Sequence, residues 1–482
     1  MDFRNVLKLL SLIGVTLSLF FWLDVGVGVV YGEKVGRLIG FVTLFFALNA
    51  AIFLALRRHT VRLNIRESIL SVNLLWLLLG VAGAAPLLLY TPISPASAFF
   101  EAISGFTTTG ATVFSDIESL PHLVLFHRSL MHWLGGMGVI VLSVGLLSFI
   151  NPTGSLSLFK AEATGIRIEK LRPKIRETAL GLWAVYVVLT LMDTVLLKLF
   201  GMDWFDAVNH AFSTLSTGGF STKNASMGFY DGNAAILWTT TLFMLLSGIN
   251  FLAHLRLFYK ADASGYTTEE VRWYLLLFAG LGTALTAVHM DLASDGLAHA
   301  ATHAFFTVAS VMTTTGFATI DYGTWSHLAV AVILIAMLIG GNAGSTAGGI
   351  KVIRYVVISR TLVSELKRIL HPRAVVSVFV DGARLQQNVL ASTFGFFTLF
   401  VITVAMLSVY IYARGYDEMT AFSGALAIVG NVGPGFAHVG PSDNFGFFGD
   451  IDKLVFSVGM IIGRLECYTV YILFTASFWK RF

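Results

Sequence analysis

The chain has 482 residues, of which 56% are hydrophobic and only 12% charged. Soluble proteins carry about 25% charged residues, so this chain lacks the charge to cover a water-facing surface and reads as a polytopic membrane protein, which excludes most cytosolic enzymes. Its single cysteine, Cys467, excludes an intramolecular disulfide or a multi-cysteine metal site, and a net charge of +4 is too small to indicate nucleic-acid binding.

A helix that crosses the bilayer needs roughly 20 mostly apolar residues. Ten such segments are predicted, near 9–30, 38–56, 68–91, 129–150, 178–200, 234–255, 273–290, 327–358, 389–413 and 453–478. The first follows Arg4 and Lys8 as a signal peptide would, but it lacks a small-x-small cleavage site and a second span follows closely. It is read as an anchor.

Lys and Arg fall in alternating loops. Arg57, Arg58, Arg62 and Arg66 follow the second span, and Lys160, Arg167, Lys170, Arg172, Lys174 and Arg176 follow the fourth. Arg256, Lys260 and Arg272 follow the sixth, and Lys351, Arg354, Arg360, Lys367, Arg368 and Arg373 the eighth, with Lys480 and Arg481 closing the chain. The opposite side carries Asp116, Glu118, Asp203, Asp206, Asp321, Asp443 and Asp450. The positive-inside rule then places both termini and the basic loops in the cytoplasm. Orientation alone explains most of these basic residues.

Between the long spans lie four stretches too short to cross, about 96–106, 203–215, 298–312 and 418–430. Each runs into a polar turn containing glycine. The turns are Thr107-Thr108-Thr109-Gly110-Ala111-Thr112, Ser216-Thr217-Gly218-Gly219-Phe220-Ser221, Thr313-Thr314-Thr315-Gly316-Phe317-Ala318-Thr319 and Asn431-Val432-Gly433-Pro434-Gly435-Phe436. Aligned on Gly110, Gly218, Gly316 and Gly433, they form an internal repeat of span, half-helix, turn and span. The chain divides into two N-terminal helices (1–60) and four repeats, 61–160, 161–262, 263–375 and 376–482. The fold class is all-α integral membrane, with four helix–pore-helix–filter–helix repeats around one pseudo-fourfold pore.

Irregular backbone survives inside a membrane only where it is buried in protein or lines a wet cavity. A half-helix entering from outside points its partially negative C-terminal end inward, which favours a cation. The following turn must aim carbonyl oxygens at the axis, in backbone angles that glycine adopts without steric penalty. Rings of such carbonyls replace the water shell of potassium. None of the four turns contains Asp or Glu, which argues against a carboxylate-ring calcium site. Ordinary Gly/Ser/Thr-rich external loops are the plainer alternative, but they do not explain four copies at matching places.

On these turns the whole chain resembles the Trk/Ktr/HKT potassium transporter superfamily, whose four repeats each resemble one potassium-channel subunit. The two added N-terminal helices and the length are similar to the bacterial TrkH type. The resemblance implies potassium as the transported ion, with a filter lined by carbonyls of Thr108, Thr109, Gly110, Ser216, Thr217, Gly218, Thr314, Thr315, Gly316, Asn431, Val432 and Gly433. The fourth turn departs from the Thr-rich form, and Pro434 lacks an N–H, so the copies are not chemically equal and selectivity less strict than in a symmetric channel is expected. The resemblance also implies the bacterial inner membrane, a homodimer, and a cytosolic ring of nucleotide-binding TrkA-type subunits. No nucleotide motif occurs in the chain and no cofactor of its own is expected. The basic loops 151–177 and 351–388 suit that partner and equally suit anionic lipid.

The eighth span ends in Gly340-Gly341-Asn342-Ala343-Gly344-Ser345-Thr346-Ala347-Gly348-Gly349. Glycine costs about 1 kcal/mol against alanine in a helix, so five in ten residues break it. The run from Leu328 to Ile339 is too short to span alone, which places the break within the membrane, below the filter. A cytoplasmic turn beyond a short helix is the alternative. The resemblance favours a gate. In the tenth span, Arg464 is costly in lipid and marks a site. It either faces the pore as an electrostatic barrier or pairs with a carboxylate. Glu466, two positions on, is a poor partner for it, and the resemblance favours the pore.

His299 and His303 are spaced to share one helix face, but no third ligand is near in sequence, so packing or hydrogen bonding is expected. His127 and His132 are not spaced for a shared site. Gly136 and Gly138 read as helix packing. Channel-like passage and symport with protons or sodium both fit the sequence, as does a weakly selective potassium/sodium pathway. A membrane enzyme or assembly subunit leaves the four turns unexplained.

Overall fold

The computed structural model describes residues 1–61, 63–145, 175–289, 296–373 and 377–480. Arg62, Arg481, the basic residues Lys160, Arg167, Lys170, Arg172 and Lys174, and the expected boundary between the first two repeats lie outside them.

Two long helices come first, α1 (Phe3–Val30) and α2 (Gly36–Ala55). The Asp2 side chain caps α1 by accepting from the Arg4 N–H. Only 17% of the most apolar stretch of α2 is buried, so the rest of the chain leaves most of this helix uncovered. A capping box of Asn64 and Glu67 starts α3 (Ile65–Tyr90), and Glu67 also accepts from the Asp2 N–H and the Asn5 amide. That carboxylate ties the first helix to the third.

The first repeat continues with short α4 (Pro95–Phe106) and long α5 (His122–Gly145). The second comprises α6 (Ile175–Leu199), short α7 (Trp204–Leu215), α8 (Ala234–Ser247) and α9 (Phe251–Lys260). The third comprises α10 (Glu269–His289), short α11 (Leu297–Met312), α12 (His327–Leu338) and, beyond the glycine segment, α13 (Val352–Leu370). The fourth comprises α14 (Gln387–Ala413), short α15 (Glu418–Gly430) and α16 (Asp450–Arg464), followed by single turns at Tyr468–Tyr471 and Ala476–Trp479.

Among the described residues, six helices are long and apolar enough to cross a membrane, and two bent pairs each qualify as one broken span. Those pairs correct the sequence reading of continuous spans over 234–255 and 453–478. The chain turns by 96° between α8 and α9, and by 114° between α16 and the segment Tyr468–Phe474. At the first bend, Asn250 caps the new helix by accepting from the Leu252 N–H at 2.8 Å. At the second, Glu466 and Cys467 both adopt left-handed backbone, with φ of 57° and 58°. The expected eighth span likewise stops at Leu338.

One small element departs from an all-α chain. Phe379–Val380 pairs antiparallel with Ala383–Arg384 across Asp381 and Gly382, both at positive φ. Two positive-φ residues suit a tight hairpin. Asp381 docks the hairpin on α10, accepting from the Glu269 N–H while its own N–H donates to the Glu269 carboxylate.

The four short helices are largely enclosed. Phe100, Ile103, Ala425, Ile428, Phe306 and Leu215 are fully buried, whereas long helices expose Leu44, Leu199 and Met406. This inversion, with apolar residues outward and short helices wrapped by long ones, positions the turns that follow the short helices.

Candidate functional site

Each short helix ends in the same backbone sequence. Thr108, Thr217, Thr314 and Asn431 are left-handed, with φ of 53°, 55°, 57° and 55°. Two residues later Gly110, Gly219, Gly316 and Gly433 are left-handed again, with φ of 82°, 85°, 81° and 95°. This repetition corrects the alignment of the second turn by one residue, because Gly219 and not Gly218 is equivalent to Gly110. Gly218 takes the place of Thr109, and Ser216 takes the place of Thr107, at the helix end.

The turns close on one another in chain order. A Cβ on Gly110 would lie 2.1 Å from the Gly218 carbonyl oxygen, and one on Gly219 would lie 2.0 Å from that of Thr315. A Cβ on Gly316 would lie 2.2 Å from the Val432 carbonyl oxygen, and one on Gly433 would lie 2.6 Å from that of Thr109. The first turn abuts the second, the second the third, the third the fourth, and the fourth the first. The acceptors Thr109, Gly218, Thr315 and Val432 are equivalent positions. A cavity is lined by Gly110, Gly219, Gly316 and Gly433 together, with Ser115, Lys223, Asn224 and Asp443 from the loops beyond. In that outer rim Asn224 joins the first two repeats, its amide N–H donating to Asp116 at 3.1 Å. This bond and others from Ser119 hold the Asp116 carboxyl below its usual range.

Each turn is braced from behind by a polar side chain of its short helix, with different chemistry each time. Glu101 accepts from the Thr112 hydroxyl and the Val113 N–H, both at 2.9 Å, and pairs with buried Arg128 at 2.8 Å. His210 meets the Ser221 hydroxyl at 2.9 Å, and Asp206 accepts from the Thr222 hydroxyl at 2.6 Å. His303 meets the Thr319 hydroxyl at 2.7 Å. In the fourth copy Ser423 accepts from the Phe436 N–H at 2.9 Å.

The glycine segment after α12 lies directly against this ring. The Gly348 N–H donates to the Thr314 hydroxyl at 2.6 Å, and the Thr346 hydroxyl donates to the Leu215 carbonyl at 3.0 Å. Gly340 and Gly341 bond to the far limb of the same loop, through the Ile350 carbonyl at 2.8 Å and the Val352 N–H at 3.2 Å. A Cβ on Gly348 would lie 2.6 Å from the Gly430 carbonyl oxygen. Asn342 and Gly344 bond to the bend between α8 and α9, through the Gly248 carbonyl at 2.8 Å and the Phe251 N–H at 3.1 Å. Ser345 and Gly349 complete the loop, the Ser345 hydroxyl donating to the Asn342 carbonyl at 2.6 Å and Gly349 at positive φ. Arg464 is buried and donates to the Thr346 carbonyl at 2.8 Å. Glu466 pairs instead with Arg354 at 2.6 Å. The segments singled out in the sequence are therefore brought together.

A match to the TrkH family, described as cation transport protein, covers residues 37–481. The chain belongs to the TrkH family. It is 37% identical, over the full length of both chains, to the Trk system potassium uptake protein TrkH of Vibrio parahaemolyticus. It is 36% identical, again over both full lengths, to that of Escherichia coli K12. The E. coli protein TrkG is 34% identical, with 94% of each chain covered. The crystal structure of the potassium transporter TrkH from V. parahaemolyticus superposes with a TM-score of 0.89 at 34% identity, covering both chains completely.

Several residues of this TrkH-family site gave no sequence signal of the contacts they make. Buried Glu270 accepts from the Ala343 N–H at 2.7 Å and the Ile353 N–H at 3.3 Å, clamping both limbs of the glycine loop. The Lys351 ammonium donates to the Ala347 carbonyl. His132 packs beside the second turn, where a Cβ on Gly218 would lie 1.8 Å from its Nδ1. His127 stands apart from it, bound to buried Asp24 of α1 at 2.8 Å and to the Gly83 carbonyl at 3.0 Å. Such groups are found only when remote segments meet.

Proposed function

We propose that this chain carries potassium inward across the bacterial cytoplasmic membrane, without chemical change to the ion. The single observation that carries the reading is the closed ring of four equivalent turns. Its selectivity filter comprises the carbonyls of Thr108, Thr109 and Gly110, of Thr217, Gly218 and Gly219, of Thr314, Thr315 and Gly316, and of Asn431, Val432 and Gly433. The Ser216 carbonyl lies one step further in. Carbonyl dipoles suit a monovalent ion that must bind firmly enough to shed water and weakly enough to leave. The membrane potential supplies about 2.3 kcal/mol per charge per 100 mV.

The loop 340–349 is the gate in this proposal. Its hydrogen bonds to Thr314 and Leu215 hold uncharged backbone across the inner side of the ring, and Arg464 adds a positive charge beside it. Opening breaks those bonds. Both termini are cytoplasmic in this reading, two copies associate, and a cytosolic nucleotide-binding subunit of the TrkA type biases the loop. The names of the relatives, each a Trk system potassium uptake protein, support the ion and the system.

The test is rubidium uptake into proteoliposomes holding the purified chain, with excess potassium or sodium as competitor. Block by potassium and not by sodium is expected. Equal block moves the assignment to a weakly selective cation pathway. No uptake, even with the nucleotide-binding partner added, refutes the transport reading.

A further inference from the structure

The fold brings a carboxylate to the two imidazoles that the sequence left without a third partner. His299 and His303 sit one helical turn apart at the start of α11, on the side from which the short helices enter. Asp231 arrives from the previous repeat, just after the short helix Ser226–Tyr230. The His303 Nε2 lies 3.0 Å from the His299 Nε2 and 2.9 Å from the Asp231 Oδ1. The His299 Nε2 lies 3.6 Å from the same oxygen. Three ligand atoms therefore converge on one point.

Hydrogen bonding alone serves this cluster poorly. A neutral imidazole nitrogen carries either one proton or one lone pair, yet the His303 Nε2 faces two groups at bonding distance. A shared cation uses a lone pair from each. Bonds of 2.0–2.1 Å in tetrahedral geometry set ligand atoms about 3.3 Å apart, a value that the three observed separations bracket. The outer contact also fits. A ligating histidine donates its other ring N–H to an acceptor that fixes the tautomer, and the His303 Nδ1 is 2.7 Å from the Thr319 hydroxyl. The His299 and Asp231 side chains are 32% and 42% exposed, which leaves a fourth position for water.

We propose that Asp231, His299 and His303 form a binding site for a divalent transition metal of the zinc class. Two imidazoles and a carboxylate suit zinc or cobalt over the hard cations magnesium and calcium. The metal clamps the start of α11 to the segment after the second turn. That segment already touches the chain leaving the third turn, through the Gly228 N–H to the Ala318 carbonyl at 3.0 Å. Occupancy thus stiffens the boundary between the second and third repeats, outside the ring.

The test is titration of the tag-free, detergent-purified full chain with cobalt(II), followed by visible absorption, which does not depend on transport. One equivalent per chain with the intense bands of tetrahedral cobalt, displaced by zinc, is expected. His299→Ala and Asp231→Asn change partly exposed side chains and are expected to leave the melting temperature without metal unchanged while weakening cobalt binding at least tenfold. Thr319→Val is expected to weaken it by ~10–100-fold, as loss of an outer-shell partner does. Absence of a saturable one-to-one site, or a site that survives His299→Ala or Asp231→Asn, overturns the proposal.

Discussion

Gly316→Ser tests the ring most directly. Residue 316 has φ of 81°, and a Cβ there would lie 2.2 Å from the Val432 carbonyl oxygen and 2.9 Å from the Pro434 Cδ. The left-handed backbone costs an L-residue roughly 1–2 kcal/mol. Restoring ordinary contact moves the Val432 oxygen by about 1 Å, and overpacking of that kind costs roughly 1–3 kcal/mol more. The total, about 2–5 kcal/mol, stays below the ~5–15 kcal/mol that holds a folded domain together. The variant is therefore expected to fold with one carbonyl of its ring displaced. If only about 1.4 kcal/mol of that strain appears as lost discrimination, potassium preference falls tenfold. Rubidium uptake competed by potassium and by sodium reads the ratio. Gly219→Ser is expected to behave alike, since its Cβ would meet the Thr315 oxygen at 2.0 Å. Gly218→Ala instead meets the buried His132 ring, not a carbonyl of the next turn, and is expected to lower the yield of folded protein more than it disturbs selectivity. A folded Gly316→Ser protein with unchanged selectivity removes that carbonyl from the filter. A larger effect at Gly218 than at Gly219 restores the original alignment.

Deleting Gly344 to Gly348 is expected to raise rubidium flux without a partner subunit, and unchanged flux in folded protein argues against a gate. Arg464→Ala removes a charged hydrogen bond to the Thr346 carbonyl, an interaction worth about 1.5–3 kcal/mol. Single-vesicle uptake is expected to rise about tenfold or more, as 1.4 kcal/mol corresponds to tenfold. Glu270→Ala leaves the Ala343 and Ile353 N–H groups without their acceptor and is expected to raise basal flux and lower Tm in a detergent melt. Glu101→Ala strands buried Arg128, a loss of about 3–5 kcal/mol, and is expected to appear as a lower yield of folded protein.

The repeat was legible because its signals are local and recur. A short apolar run, then hydroxyl residues, then glycine, reports a half-helix and a left-handed turn wherever it occurs. The glycine loop and Arg464 were legible because each violates what a lipid-spanning helix allows. The register of the second turn was not, since adjacent glycines satisfy the same rule and only φ separates them. The bend after α8 had a readable signal, glycine at the end of one helix and Asn250 capping the next. The bend after α16 had none, because Glu466 and Cys467 are disfavoured in left-handed backbone. Arg354, far away in sequence, holds the Glu466 carboxylate. Asp231 and Glu270 belong to the same class, their partners lying in distant segments.

The four braces behind the turns, Glu101 with Arg128, Asp206 and His210, His303, and Ser423, have a consequence for how such a pore changes over generations. In a channel assembled from identical subunits, one codon change alters every quadrant at once, so the smallest available step is four alterations. Here one codon reaches one quadrant. For the filter proposed above, ion preference can then drift by quarter-steps, with three unaltered braces in place while the fourth is sampled. The turns themselves already differ in a single quadrant, Asn431 standing where the other three carry Thr108, Thr217 and Thr314.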